Sequence, residues 1–154
     1  MTGYRFNTAP ELRVGLGTSR EVGAYCAQLG IKRPLLVTDP GLVAVGLVEP
    51  VREAIAATCE QVSLFSEVTA DPAESAVLDA LAMLQAGEAD GVVGLGGGSS
   101  MDVAKAIAVL AAGTQTLADA YGVDQVVGGR LPLILIPTTA GTGSEVTPVA
   151  VITT

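Results

Sequence analysis

Apolar residues fall into two alternating patterns along this chain: short unbroken runs closed by glycine or proline, and longer stretches with apolar positions three or four apart. The unbroken runs at 34–38, 62–68, 91–95 and 131–136 predict buried parallel strands, because a strand covered on both faces has no polar side to show. The spaced stretches predict helices. Val22, Tyr25, Cys26 and Leu29 form one face behind a Thr18-x-x-Glu21 capping box, and Gly30 closes that helix. Val51 and Ile55 mark a second helix over 50–58. Asp71-Pro72-x-Glu74 offers an N-cap, a first-turn proline and an acidic third position to a helix carrying Val77, Leu81 and Leu84. Ser99-x-x-Asp102 offers a cap to the next helix, on which Val103, Ile107, Leu110 and Ala111 share a face and Lys105 turns to the opposite side, solvated or in a surface pair. Shorter patterns predict a strand or hairpin over 4–16 with Pro10 near its turn, a turn at Asp39-Pro40-Gly41, a helical turn at 118–121 and a last strand over 147–154. Strands alternating with helices make βαβ units around a parallel sheet. No internal repeat, low-complexity tract or linker interrupts the pattern.

Composition narrows the functions open to such a fold. A length of 154 residues suits one domain with one sizeable core. Aromatics make up only 3%, which excludes a stacking platform for nucleic-acid bases. Eight basic against sixteen acidic residues leave a net charge of −8, which repels phosphate backbones and anionic lipid alike, so neither nucleic acid nor membrane is an expected partner. No apolar stretch is long enough to span a bilayer, and no apolar region follows a basic start, so a cytoplasmic protein is expected. Cys26 and Cys59 are too few and too far apart for a disulfide framework or a zinc site, and Cys26 is expected to be a small buried hydrophobe.

Two loops carry the candidate chemistry. Gly96-Gly97-Gly98-Ser99-Ser100 and Thr138-Thr139-Ala140-Gly141-Thr142-Gly143-Ser144 each leave an apolar run. A glycine-rich loop that opens a helix presents backbone N–H groups at the positive end of the helix dipole, a common way of holding phosphate. The first loop is not the usual dinucleotide fingerprint, since Gly94-x-Gly96-x-x-Ser99 has serine where a third glycine belongs. No acidic residue sits about twenty positions on at the end of the next strand, and no G-x-x-x-x-G-K-[ST] occurs. On its residues alone the loop reads as a phosphate cradle or as a tight strand-to-helix turn.

The combination is more specific. The run from Gly96 through Ser99, Asp102 and Lys105, followed by Pro137-Thr138-Thr139-Ala140-Gly141-Thr142-Gly143-Ser144-Glu145-Val146-Thr147, resembles the iron-dependent alcohol dehydrogenase family, as does Val37-Thr38-Asp39-Pro40-Gly41. The resemblance covers the whole chain. It implies an α/β fold, a Rossmann-like parallel sheet flanked by helices of the dehydroquinate synthase-like N-terminal type. It further implies that residues 1–154 are an NAD(P)-binding domain, usually followed in the family by a helical metal-binding domain. Backbone groups of Gly97, Gly98 and Ser99 would cradle the pyrophosphate, with Asp102 nearby. The positions matching Thr138, Thr139, Thr142, Thr147 and Val149 would face the cofactor. Asp102 reads equally as a helix cap, and Thr147 and Val149 as strand-filling β-branched residues. Asp39 would accept the hydroxyls of the adenine ribose and repel a 2′-phosphate, favouring NAD over NADP. Its other reading is a turn residue. Asp71 matches a position near the adenine pocket, although its N-cap role suffices.

The resemblance also implies chemistry that these residues lack. The family transfers a hydride between an alcohol and the nicotinamide, with iron or another divalent metal polarising the substrate oxygen. That metal is held by one aspartate and three histidines of the second domain. This sequence contains no histidine. A truncated, catalytically incomplete cofactor-binding half is therefore expected, with self-association through the apolar surface that the missing domain would cover. Two alternatives stand beside it. One is a stand-alone NAD- or nucleotide-binding or interaction module without redox activity. The other is a non-redox relative of the dehydroquinate synthase type, whose loop motifs differ from these.

Overall fold

A computed structural model describes residues 8–122 and 124–154. Four parallel strands form its sheet: β1 (Pro34–Val37), β2 (Ser63–Phe65), β3 (Gly91–Gly96) and β4 (Leu133–Pro137), in the order β2-β1-β3-β4. Five α-helices flank it: α1 (Val22–Gln28), α2 (Pro40–Ala44), α3 (Val48–Ala56), α4 (Glu74–Ala86) and α5 (Gly98–Ala112). Alternation along the strands feeds two cores. Leu35, Val37 and Val92 meet α4 and α5 on one face, whereas Leu36, Val93 and Leu95 meet α1 and α3 on the other. The fully buried runs of β1 and β3 thus have the cause their sequence suggested. Gly94 sits where α5 lies closest to the sheet. A Cβ there would come within 2.8 Å of Ala104 Cβ and 2.9 Å of Leu135 Cδ2, so a side chain would lift the helix.

The order of strands creates the crevice. β1 and β3 are neighbours, but β1 leads into α2 and α3 toward β2, while β3 leads into α5 toward β4. Outgoing connections that part to opposite faces leave an opening at the carboxyl ends of the two strands, where α/β folds place ligands. The register pairs Val37 with Gly94, which sets Asp39 level with Gly96. Thr138 N donates to Gly96 O at 2.9 Å, which brings the end of β4 alongside.

Several local expectations are corrected. Residues 8–16 form no strand, and the rest of that stretch, 4–7, lies outside the described residues. Thr18–Glu21 is a 3-10 turn with no side-chain cap, because its N-cap position falls on Gly17, while the Thr18 hydroxyl donates to Gly15 O at 3.1 Å. Leu29 is exposed. Asp39-Pro40-Gly41 is not a turn but the start of α2, capped by Asp39. Asp71 is not the cap of α4. It takes a left-handed φ of 50°, and the helix begins at Glu74, whose N–H is occupied by Thr153 O at 3.2 Å. The expected cap of α5 is absent as well: Gly97 is its N-cap, and Asp102 lies one turn inside. The stretch 147–154 forms no strand beyond a single bridge between Ala73 and Thr153. Cys26 is fully buried as expected, and the fold sets the Cys59 thiol beside it, both cysteines being free. The helical turn near 118 is present as Ala118–Ala120.

Candidate functional site

The site is built around the start of α5. Its N-cap, Gly97, contributes no side chain, so none of the first-turn amides is capped from within. The α2 terminus is the contrast, since Asp39 Oδ1 accepts from Leu42 N there at 3.0 Å. A long helix with an open N-terminus at a strand switch point is a ready anion site.

The glycines of the loop divide by cause. Gly96 has a φ of 151°, and a Cβ on it would approach Ser100 Oγ to 2.6 Å, so backbone and packing both demand glycine. Gly97 and Gly98 are different. Gly97 has an ordinary extended backbone, with φ −79° and ψ −170°. A Cβ on it would lie 3.5 Å from Thr139 Oγ1, and one on Gly98 would lie 3.4 Å from Thr142 Cγ2, both normal contacts. Among the described residues nothing requires glycine at these two positions, and the bare backbone leaves room for a group to approach closely from outside.

All ten sequence-predicted residues gather at this end of the sheet. Gly97, Gly98 and Ser99 are half-buried at the mouth of α5, with the exposed Thr139 and Thr142 against the first two. Thr138 follows β4 directly. Asp39 is half-buried, and its Oδ2, which takes no part in the α2 cap, faces Gly96. A cavity of about 400 Å³ opens beside the loop, lined among others by Gly98, Ser99, Asp102, Thr142, Thr147 and Val149. Thr147 and Val149 are exposed on it.

Asp102 departs from the simplest expectation. It is only 8% exposed, and its oxygens are occupied within the chain. Oδ1 accepts from Ser144 Oγ at 2.6 Å and Oδ2 from Val151 N at 3.0 Å, while Lys105 Nζ stands 2.9 Å from Oδ1. The expectation for Lys105 is overturned outright. It is not solvated but equally buried, donating to Ser144 O at 2.9 Å, to Thr147 O at 3.5 Å and to Val149 O. Sequence reasoning missed Lys105 and Ser144. The available signal was the i,i+3 spacing of Asp102 and Lys105, which sets them on one side of a helix.

Among the described residues no group of three or more histidine, cysteine or carboxylate side chains could hold a metal ion. None of the helices described is long and apolar enough to cross a membrane.

Comparison with known proteins agrees with this geometry. A family model described as iron-containing alcohol dehydrogenase matches residues 9–154. The chain is 40% identical over 148 residues to the NAD-dependent methanol dehydrogenase of Bacillus methanolicus, covering 96% of this chain and 39% of that protein. The crystal structure of a 1,3-propanediol oxidoreductase superposes with a TM-score of 0.90 at 32% identity, over 95% of this chain and 38% of that one. Sulfoacetaldehyde reductase from Bifidobacterium kashiwanohense, solved in complex with NAD+, superposes with a TM-score of 0.84 at 28% identity, over 96% of this chain and 39% of that one. The chain thus spans 38–39% of the length of these relatives. With nearly every residue inside the family match, and the glycine and threonine loops meeting at one end of a parallel sheet, this protein belongs to the iron-containing alcohol dehydrogenase family.

Proposed function

We propose that residues 1–154 are the dinucleotide-binding domain of an NAD-dependent alcohol dehydrogenase, and that these residues alone do not complete the catalytic site. The observation that carries the reading is the uncapped start of α5 at Gly97 and Gly98, two glycines that the chain's own packing does not need. The residues present fit the cofactor. Backbone N–H groups of Gly97, Gly98 and Ser99 donate to the pyrophosphate, with the dipole of α5 behind them. Asp39, with one carboxylate oxygen turned toward Gly96, accepts from the ribose hydroxyls and disfavours a 2′-phosphate. Thr138, Thr139 and Thr142 offer hydroxyls along the same rim, and Thr147 and Val149 form the cavity wall beyond Gly98. When bound, the nicotinamide supplies the carbon that accepts or returns the hydride.

The iron in the family's name is another matter. With no histidine in the sequence and no ligand cluster among the described residues, this chain does not fit that metal. Its residues bind and orient the dinucleotide, and the electrophile for the substrate oxygen comes from outside them. Titration calorimetry of the purified chain tests the proposal. NAD+ should bind in the micromolar to millimolar range and NADP+ more weakly. Absence of any NAD+ binding would overturn it.

A further inference from the structure

Two free thiols lie outside the dinucleotide site, and the packing of α1 against the end of α3 brings them together. The two helices meet at Gly23, where a Cβ would come within 2.1 Å of Ala54 O, so only glycine allows the approach. Thr58 Oγ1 bridges the same contact, donating to Gly23 O at 2.9 Å. Cys26 follows Gly23 by three positions and so lies on the same side of α1, while Cys59 follows Thr58 directly. The chain between α1 and β1 fixes both residues. Ile31 N donates to Cys26 O at 2.8 Å, and the Cys59 thiol donates to Ile31 O at 3.6 Å. Cys59 N donates to Ile55 O at 3.0 Å, which holds the residue just beyond α3. Cys26 is fully buried in the apolar cluster on this face of the sheet, and Cys59 packs at its margin, so that the thiols stand side by side. Their access differs. Cys59 lines a cavity of about 310 Å³ with Arg52, Ala56 and Val62, whereas Cys26 has no surface of its own. Among the described residues no third ligand joins them to make a metal site.

We propose that Cys26 and Cys59 form a peroxide-sensitive dithiol, which hydrogen peroxide closes to a disulfide between α1 and the end of α3. The proposal is independent of the dinucleotide reading. Cys59 reacts first, because thiol oxidation runs through an accessible thiolate, and burial holds Cys26 in its protonated form. The Cys59 thiolate attacks one oxygen of the peroxide, and the O–O bond breaks. The hydroxide that leaves takes up the proton Cys59 had released, and Cys59 becomes a sulfenic acid. The Cys26 sulfur then attacks the Cys59 sulfur, the S–O bond breaks, and the departing hydroxide takes the Cys26 proton. One peroxide is reduced to two waters, and two thiols are oxidised to one disulfide. Cys26 needs no path to solvent, since its partner sulfur is already beside it and the second step is intramolecular. The new bond staples together two helices that cover one face of the sheet.

The test exposes the reduced, folded chain to hydrogen peroxide, blocks the remaining thiols and maps the peptides by mass. The expected product is one cross-linked peptide joining Cys26 to Cys59 within a single chain, lighter by two hydrogens and reversed by dithiothreitol. The oxidised chain should melt several degrees above the reduced one, because closing a long loop restricts the unfolded state. In Cys26→Ala the sulfenic acid on Cys59 has no partner and should be trapped by dimedone. In Cys59→Ala the buried Cys26 should stay reduced over the same exposure. Four results in the parent chain would overturn the proposal: Cys59 oxidised to a sulfinic acid while Cys26 stays reduced, a disulfide joining two chains, a cross-link that forms only in urea, or an oxidised chain that melts below the reduced one. Oxidation of Cys26 in Cys59→Ala, or an inert Cys59 in Cys26→Ala, would overturn the order of steps. Should either variant fail to fold, the peptide map and melt of the parent chain decide by themselves.

Discussion

Gly98→Ala separates folding from ligand binding at the centre of the site. Position 98 is the first residue of α5, and the added methyl carbon would lie 3.4 Å from Thr142 Cγ2, an ordinary contact. Alanine is favoured over glycine in helices by up to about 1 kcal/mol, part of it through reduced freedom of the unfolded chain. The variant should therefore unfold at the same temperature as the parent, or up to roughly 2–4 °C higher for a chain of this size. The ligand side responds in the opposite sense. A methyl group above the first-turn amides keeps a phosphate from reaching them, and each charge-assisted hydrogen bond lost costs about 1.5–3 kcal/mol. NAD+ affinity should fall by roughly 10- to 100-fold for a single bond lost. Calorimetric titration read beside a thermal melt gives both numbers. Parent-like NAD+ binding by Gly98→Ala would refute the cradle, and a melt lowered by several degrees would refute the claim that the chain has room for a side chain there.

Asp39→Asn keeps an oxygen for the α2 cap while removing the charge, so stability should hold and the preference for NAD+ over NADP+ should narrow by about 1–3 kcal/mol. A parent chain that already prefers NADP+ would leave Asp39 as a helix cap alone. The purified 154-residue chain should hold no stoichiometric iron or zinc and should not reduce NAD+ with primary alcohols or diols. Robust metal-dependent NADH formation, followed by absorbance, would reveal a site among residues not assigned to it. Burial, with the neighbouring Cys59 thiol adding to it, pushes the Cys26 thiol up from 9.0 to about 12. Cys26 should resist alkylation in the folded chain at neutral pH, and Cys59, less buried, should react first. In the unfolded chain the Cys26 thiol loses its proton near the ordinary value, whereas the folded chain keeps it. Stability from this group should therefore fall as pH rises from about 9 toward 12. A urea midpoint that rises across that window in the parent relative to Cys26→Ala would contradict the sign.

Local sequence determined those parts of the fold whose causes are local. Apolar runs such as Pro34–Val37 and Gly91–Gly96 read as strands because burial on both faces leaves no room for polar positions. The helices behind Val77 and Val103 read equally well, since their apolar spacing needs no knowledge of a partner. The glycine loop read as a candidate site for the same reason: N–H groups at a helix start attract anions wherever the helix lies. Tertiary structure alone decided three things. Strand order placed β1 beside β3, and so Asp39 beside Gly96, because pairing between distant segments is a contest that no single segment records. It denied strands to 8–16 and to 147–154, because a strand needs a hydrogen-bonding neighbour and alternation of side chains does not provide one. It also reversed the fate of Lys105. A lysine on the apparently outer side of a helix looks solvated until another segment is laid across it, and here 144–151 covers it with three carbonyl oxygens to which its ammonium group donates.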